Sequence, residues 1–400
     1  MADHSSGLIT ETEFQVANRL KGIGEYYFSQ KLRQIDELNK QGKNIINLGI
    51  GSPDLPPHPS VIEVLVEESR KPNVHAYQGY KGSPIFRQAI AGWYNDWYGV
   101  KLNPDTEILP LIGSKEGIMH ICMTYLDAGD LVLVPDPGYP TYSSAAKLAG
   151  GSVVQYSLKE ENDWFPDFNE LENAVKKAGN KKVLMFASYP HMPSGKAPSK
   201  ELFQMLVDFA NRNQVLLVHD NPYSFILNKD PMSILSIAGT TDWVIELNSL
   251  SKSHNMAGWR IGMLCGSEKR IGEILRFKSN MDSGMFLPAQ LAAAKALSLG
   301  SDWYRQLNEV YQERREKVYD LLNLLPCVYD KNQAGMFLWA KINAEYNDAF
   351  TLSDEILERA NVFITPGGIF GEAGNYYIRI SLCSTSEKLE ESIKRIKSTF

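Results

Sequence analysis

Between about residue 85 and residue 290, short apolar runs alternate with stretches of helical periodicity, and this alternation constrains the fold more than any other feature of the chain. The apolar runs are Leu131–Val134, Val153–Tyr156, Val183–Ala187, Val215–His219, Val244–Leu247 and Ile261–Cys265. Intervening stretches such as Lys200–Asn211 carry apolar residues at helix-like spacing. Strands separated by helices cannot pair as hairpins, so the pattern predicts an α/β fold with a mostly parallel sheet covered by helices.

The flanks read differently. Residues 13 to 41 are expected to be helical, with Leu20, Ile23, Tyr27, Leu32, Ile35 and Leu38 at the appropriate spacing. A short apolar piece, Ile45–Leu48, follows, and then a Gly/Pro cluster over residues 49–57 that must be a loop. Residues 301–324 read as a long amphipathic helix. Beyond it come strand candidates Met336–Ile342 and Tyr376–Leu382, with helix candidates Leu352–Arg359 and Ser386–Lys397. This tail is a smaller α+β domain, and packing of the N-terminal helix against it would make that domain discontinuous. The expected division is 1–48 as an N-terminal arm and part of the small domain, 49–295 as the large ligand-binding domain, and 296–400 as the small C-terminal domain.

Composition removes several classes of function. A formal net charge of -6 with no basic run argues against nucleic acid or an anionic membrane surface as partner. The cysteines Cys122, Cys265, Cys327 and Cys383 are scattered, as in reduced cytoplasmic proteins, and no His-x-x-x-His pair supports a metal site. The segment Met1–Thr12 is polar and unlike a signal peptide, and no apolar stretch reaches membrane-spanning length.

In open α/β sheets, ligands sit at the carboxyl ends of the strands, so the polar residues there come first. After Val244–Leu247 runs the segment Ser249 to Gly262, in which Lys252 follows two hydroxyl residues and Arg260 lies eight positions further on. A lysine amine forms a Schiff base with an aldehyde. Ser249, Ser251 and Arg260 supply the donors and the planar cation that suit a phosphate. One small molecule carries both groups, pyridoxal phosphate. The plainer alternative is a polar loop with Arg260 in a surface ion pair.

Other strand ends add to this. Asp220, followed by Asn221, Pro222 and Tyr223, is placed to keep a ring nitrogen protonated, with Tyr223 donating to the ring's phenolic oxygen. Taken alone, Asp220 serves equally as a helix cap. Gly113-Ser114-Lys115 opens a helix, where a hydroxyl and backbone N–H groups bind phosphate, or where the serine is a simple cap. Tyr139, in the rigid turn Pro135–Tyr142, suits stacking on a heteroaromatic ring, or is a core tyrosine. Arg379 stands alone in the apolar run Tyr377–Leu382 and needs an anionic partner, either a substrate carboxylate or an internal acid. Together these residues outweigh their separate alternatives.

With those motifs the chain resembles the class I/II aminotransferases of fold type I, from about residue 15 to the end. Leu48–Pro57, Leu111–Gly117, Pro135–Tyr142, Ser249–Gly262 and Lys278–Gly284 resemble the LL-diaminopimelate aminotransferase-like branch. The resemblance implies a seven-stranded, mostly parallel sheet, a pyridoxal phosphate cofactor and a homodimer with shared active sites. It further implies that Lys252 carries the cofactor and shuttles protons, and that Asp220 and Tyr223 contact the ring. Ser114, Lys115, Ser249, Ser251 and Arg260 would hold the phosphate, and Tyr139 would stack. Arg379 would bind the α-carboxylate, with Ile50 and Gly51 on the substrate side. Tyr77 would reach the phosphate of the partner subunit. One departure stands out: Met192, in Tyr189-Pro190-His191-Met192-Pro193-Ser194-Gly195, replaces the family's usual asparagine. A thioether is a weak acceptor and no donor, so Tyr223 serves the ring oxygen alone, or with His191 or a water.

The reading is ping-pong transamination between an L-amino acid and a 2-oxo acid, with Lys252 as base and then acid. A lyase or decarboxylase on the same scaffold is the alternative. A ligand-sensing regulator would need a DNA-binding domain for which the chain leaves no room.

Overall fold

The computed structural model describes residues 14–25 and 27–400. Its centre is a seven-stranded sheet in the order Ile108–Leu111, Gly262–Gly266, Val244–Ser249, Leu216–Asp220, Val183–Ser188, Leu131–Asp136, Ser152–Ser157. Gly262–Gly266 runs antiparallel to both of its neighbours, and every other pairing is parallel. Both faces are covered. Leu131, Leu133, Met185 and Leu217 enter one core, while Val132, Val134, Leu184, Phe186 and Val218 enter another on the opposite face. That two-sided burial is why these strands read as unbroken apolar runs.

Ile108–Leu111 was not among the expected strands. It is four residues long and contains Pro110, which the ladder tolerates because the strand lies at the sheet edge.

A second, antiparallel sheet orders Thr365–Pro366, Tyr377–Ser381, Phe337–Ile342 and Cys327–Tyr329. The helices Ser301–Leu322, Ala349–Ala360 and Ser386–Lys397 contribute to its core. The N-terminal segment joins this part: Ile46–Asn47 pairs in parallel with Val362–Phe363. Ile35, from the helix Tyr27–Lys40, shares a small core with Ile45, Leu357 and Phe363.

The expected helix over 13–41 is shorter than its periodicity suggested. From Phe14 to Glu25 there is only a single turn, Asn18–Leu20. Gly22 has φ +85°, and Gly24 follows two residues later; together they interrupt any continuous helix. Residue 13 lies outside the described residues. Among the described residues, no helix is long and apolar enough to cross a membrane.

Candidate active site

Five chain segments reach one cavity of about 490 Å³ from the strand ends of the large sheet. Ser114 and Lys115 follow the Ile108–Leu111 strand, and Tyr139 follows Leu131–Asp136. Met192 follows Val183–Ser188; Asp220 and Tyr223 end and follow Leu216–Asp220; Ser249, Ser251, Lys252 and Arg260 end and follow Val244–Ser249. Ile50, Gly51 and Arg379 line the same space from the other sheet's side. Tyr77 does not; it is 92% exposed on this chain.

At one end, the helix Ser114–Tyr125 opens behind Gly113, an N-cap residue that has no side chain to cap it. The first N–H groups and the positive helix terminus suit an anion. Gly113 has φ +82°, and a Cβ there would lie 2.2 Å from Arg260 Nη2. Only glycine admits the guanidinium against the helix start. The Ser249 hydroxyl accepts from the Ser251 N–H at 3.1 Å, capping the short helix Leu250–Ser253 that carries Lys252. Ser249 therefore positions the lysine as well as lining the cavity.

Asp220 forms the floor. Its Oδ2 accepts from the Tyr142 hydroxyl at 2.8 Å, and its buried Oδ1 has no hydrogen-bonding partner. Burial pushes its carboxyl up to about 6, against the Tyr142 hydrogen bond and the nearby His219. A buried carboxylate with one oxygen unmet calls for a cationic donor. Tyr142 is held rigid by stacking on Phe186, with ring centroids 4.7 Å apart and planes 6° apart. Within the turn Pro135–Tyr142, no role for Tyr142 is legible in the sequence. Its position three residues after Tyr139, at the start of the helix Pro140–Leu148, was the available signal.

Two cations face the loop at residues 49–51. Lys252 Nζ donates to the Gly51 carbonyl at 2.5 Å, and Arg379 Nη2 donates to the Gly49 carbonyl at 2.7 Å. Burial holds the Lys252 amine below the ordinary lysine pKa, with the guanidiniums of Arg379 and Arg260 acting in the same sense. A Cβ on Gly51 would lie 2.1 Å from the Phe337 ring, so this approach needs glycine. The loop is anchored from behind by Asp54, which takes both Arg314 Nη atoms at 2.7 and 2.8 Å.

Arg379 sits among aromatic rings, 3.9 Å from the centroid of Phe337, 4.6 Å from Phe370 and 5.6 Å from Phe28. Its Nη1 donates to Met192 Sδ at 3.3 Å. These neighbours had no signature in the sequence, since Phe28, Phe337 and Phe370 come from three distant segments. Expected assistance from His191 is corrected here. Its Nδ1 lies 2.7 Å from the Ser194 hydroxyl and its Nε2 donates to the Pro137 carbonyl at 3.1 Å. Both ring nitrogens are engaged, and the residue does not line the cavity.

Glu116, His120 and Asp282 bring three metal-ligand atoms within 4.8 Å of one another. The ammonium of Lys278 sits among them, 3.2 Å from Glu116 and paired with Asp282, so the cluster already holds its cation.

A ligand matching this cavity offers a carbonyl to a depressed lysine, a cationic ring nitrogen to an unmet carboxylate and a phosphate to a helix start. That chemistry places the chain among pyridoxal-phosphate enzymes with the fold-type I architecture. Residues 43–396 match the family model for aminotransferase class I and II, and the chain belongs to that family. It is 37% identical to an LL-diaminopimelate aminotransferase of Halothermothrix orenii, over 96% of this chain and 98% of that one. Against the same enzyme from Oleidesulfovibrio alaskensis the identity is 39%, over 97% and 100%. Among solved structures, substrate-bound BacF from Bacillus subtilis superposes with a TM-score of 0.90 at 35% identity, covering 96% of this chain and 98% of that one. The chain is a pyridoxal-phosphate-dependent aminotransferase.

Proposed function

We propose that Lys252 is the cofactor-bearing residue and proton shuttle of this aminotransferase, with Asp220 at the ring nitrogen and Arg379 at the substrate carboxylate. Pyridoxal phosphate supplies, when bound, an electrophilic carbonyl and a ring that accepts electrons from the substrate α-carbon. The unmet Oδ1 of Asp220, in the same cavity as the depressed amine of Lys252, carries this reading. A lysine below its usual pKa is a better nucleophile and a better base near neutrality. Arg379 orients an L-amino acid by its α-carboxylate, so that its α-hydrogen faces Lys252. Lys252 would then take that proton and return it two atoms along, past the intervening nitrogen. Ser114, Lys115, Ser249, Ser251 and Arg260 hold the phosphate. Tyr139 stacks on the ring, and Tyr223 donates to the ring oxygen, with Ile50, Gly51 and Met192 shaping the substrate side.

The chain acts as a cytoplasmic homodimer in this proposal, with residues 1–48, 49–295 and 296–400 as arm, large domain and small domain. Tyr77, exposed and outside its own chain's cavity, then serves the partner's site. Incubation with an amino acid and 2-oxoglutarate is the test of reaction type: glutamate and the new 2-oxo acid should appear in equal amounts. Ammonia released without glutamate would overturn it. Gel filtration with light scattering tests the dimer; a monomer at working concentration contradicts it.

A further inference from the structure

The helix Ser114–Tyr125, whose start faces the phosphate, carries an acid in its first turn, Glu116. A carboxylate there shares the positive helix terminus with a bound anion and repels it, unless it is turned away and neutralised. Both happen. Glu116 Oε2 accepts from the Ile112 N–H, reaching back past Gly113 much as the acid of a capping box does. Its Oε1 lies 2.8 Å from His120 Nε2, which donates to it, and 3.2 Å from the Lys278 ammonium. Lys278 ends the helix Glu268–Lys278, is 1% exposed, and also pairs with Asp282. Burial alone would raise the Glu116 carboxyl; the His120 hydrogen bond and the Lys278 charge outweigh it and hold the group well below the usual carboxylate range. The turn before Ser114 is therefore gripped from both sides. Glu116 holds the Ile112 N–H behind it, and the Arg260 guanidinium fills the space where a Cβ on Gly113 would lie.

We propose that Glu116 and Lys278 are positioning residues for the cofactor phosphate. Glu116 sets the Gly113–Ser114 turn through the Ile112 backbone, and Lys278 cancels the negative charge that Glu116 brings to the helix start. The inference rests on the assignment of Ser114, Lys115 and Arg260 to the phosphate. Neither Glu116 nor Lys278 lines the cavity, so both act through the turn and its field. Without Lys278, the carboxylates of Glu116 and Asp282, each largely buried, would stand uncompensated beside the anion site.

Two related ligands separate this role from a general effect on the fold. The full-length protein is stripped of cofactor and titrated with pyridoxal phosphate and with pyridoxal, which offers the same aldehyde to Lys252 but lacks the phosphate. Absorbance of the bound ligand reports each affinity. Lys278→Met should weaken pyridoxal phosphate at least about tenfold and pyridoxal by less than about threefold. Adding Glu116→Gln to Lys278→Met removes the opposing charge and leaves an oxygen for the Ile112 N–H, so pyridoxal phosphate affinity should return to within about threefold of the parent. Glu116→Ala removes the acceptor too, and should again weaken pyridoxal phosphate selectively. Parallel losses for both ligands, an unchanged affinity in Lys278→Met, or a double variant no better than Lys278→Met overturns the inference. If the parent itself binds pyridoxal as tightly as pyridoxal phosphate, the assignment of the phosphate site fails instead.

Discussion

The guanidinium of Arg379 donates to the thioether of Met192 across 3.3 Å, on the substrate side of the cavity. Sulfur is a weak acceptor, so this contact holds the arginine in place while yielding readily to a carboxylate. Met192→Leu keeps the volume and should change KM for the amino donor by less than about threefold, because little hydrogen-bond energy is lost. Arg379→Lys loses the planar fork and should raise KM on the order of 10- to 100-fold with a smaller effect on kcat. Steady-state kinetics on both variants checks the pair; a large KM effect in Met192→Leu contradicts the assignment.

Asp220 predicts a pH signature in the cofactor-free protein. Its carboxyl is pushed up to about 6 in the fold by burial, above the unfolded value near 3.8. A raised folded pKa means that this group's contribution is fully present below about pH 4 and lost as pH rises through about 6. Asp220→Asn removes that loss. The variant should gain on the order of 1–3 kcal/mol over the parent at pH 8 relative to pH 4 when both lack cofactor. Urea unfolding at the two pH values measures this. The same variant should bind pyridoxal phosphate at least about tenfold more weakly.

Tyr142 lines the cavity and donates its hydroxyl to Asp220. Tyr142→Phe keeps the ring stacked on Phe186 and removes one hydrogen bond that holds the carboxyl down. Folding should survive. The acidic limb of the pH–rate profile should move to higher pH, with kcat reduced by roughly tenfold. An unchanged profile would show that the hydroxyl does not tune the carboxylate.

Acid should destabilise the fold through two buried histidines. Burial holds His191 down to about 4 and His254 down to about 3. A depressed folded pKa in a histidine means stability fully present above about 6.5 and lost progressively as pH falls toward the folded value. Thermal unfolding between pH 7 and 4.5 should therefore show a falling Tm, and His191→Gln should flatten part of that slope. A slope that is the same in the variant would exclude His191 as a contributor.

Five of the six apolar runs were legible as strands because burial on both faces left them few polar positions, His219 and Glu246 excepted; Val153–Tyr156, largely exposed at the sheet edge, read as a strand from its β-branched and aromatic residues. The chemistry at their ends was legible because lysine, aspartate and arginine there demand partners. What escaped the sequence was of other kinds. Ile108–Leu111 is short and carries Pro110, so nothing in its composition marks a strand. The helical period from Leu20 to Leu38 hid the two glycines that stop the helix. The contact of Phe28 with Arg379 and the clamp of Asp54 on Arg314 join residues hundreds of positions apart, and Phe337 and Phe370 reach Arg379 from separate elements, which no local pattern encodes.

The most direct test is covalent. The protein is loaded with pyridoxal phosphate, reduced with borohydride, digested and mapped by mass spectrometry, alongside Lys252→Ala. The cofactor-sized mass should sit on the peptide containing Lys252, and the variant should show neither the adduct nor turnover. An adduct on another lysine, or full activity in the variant, would contradict the account.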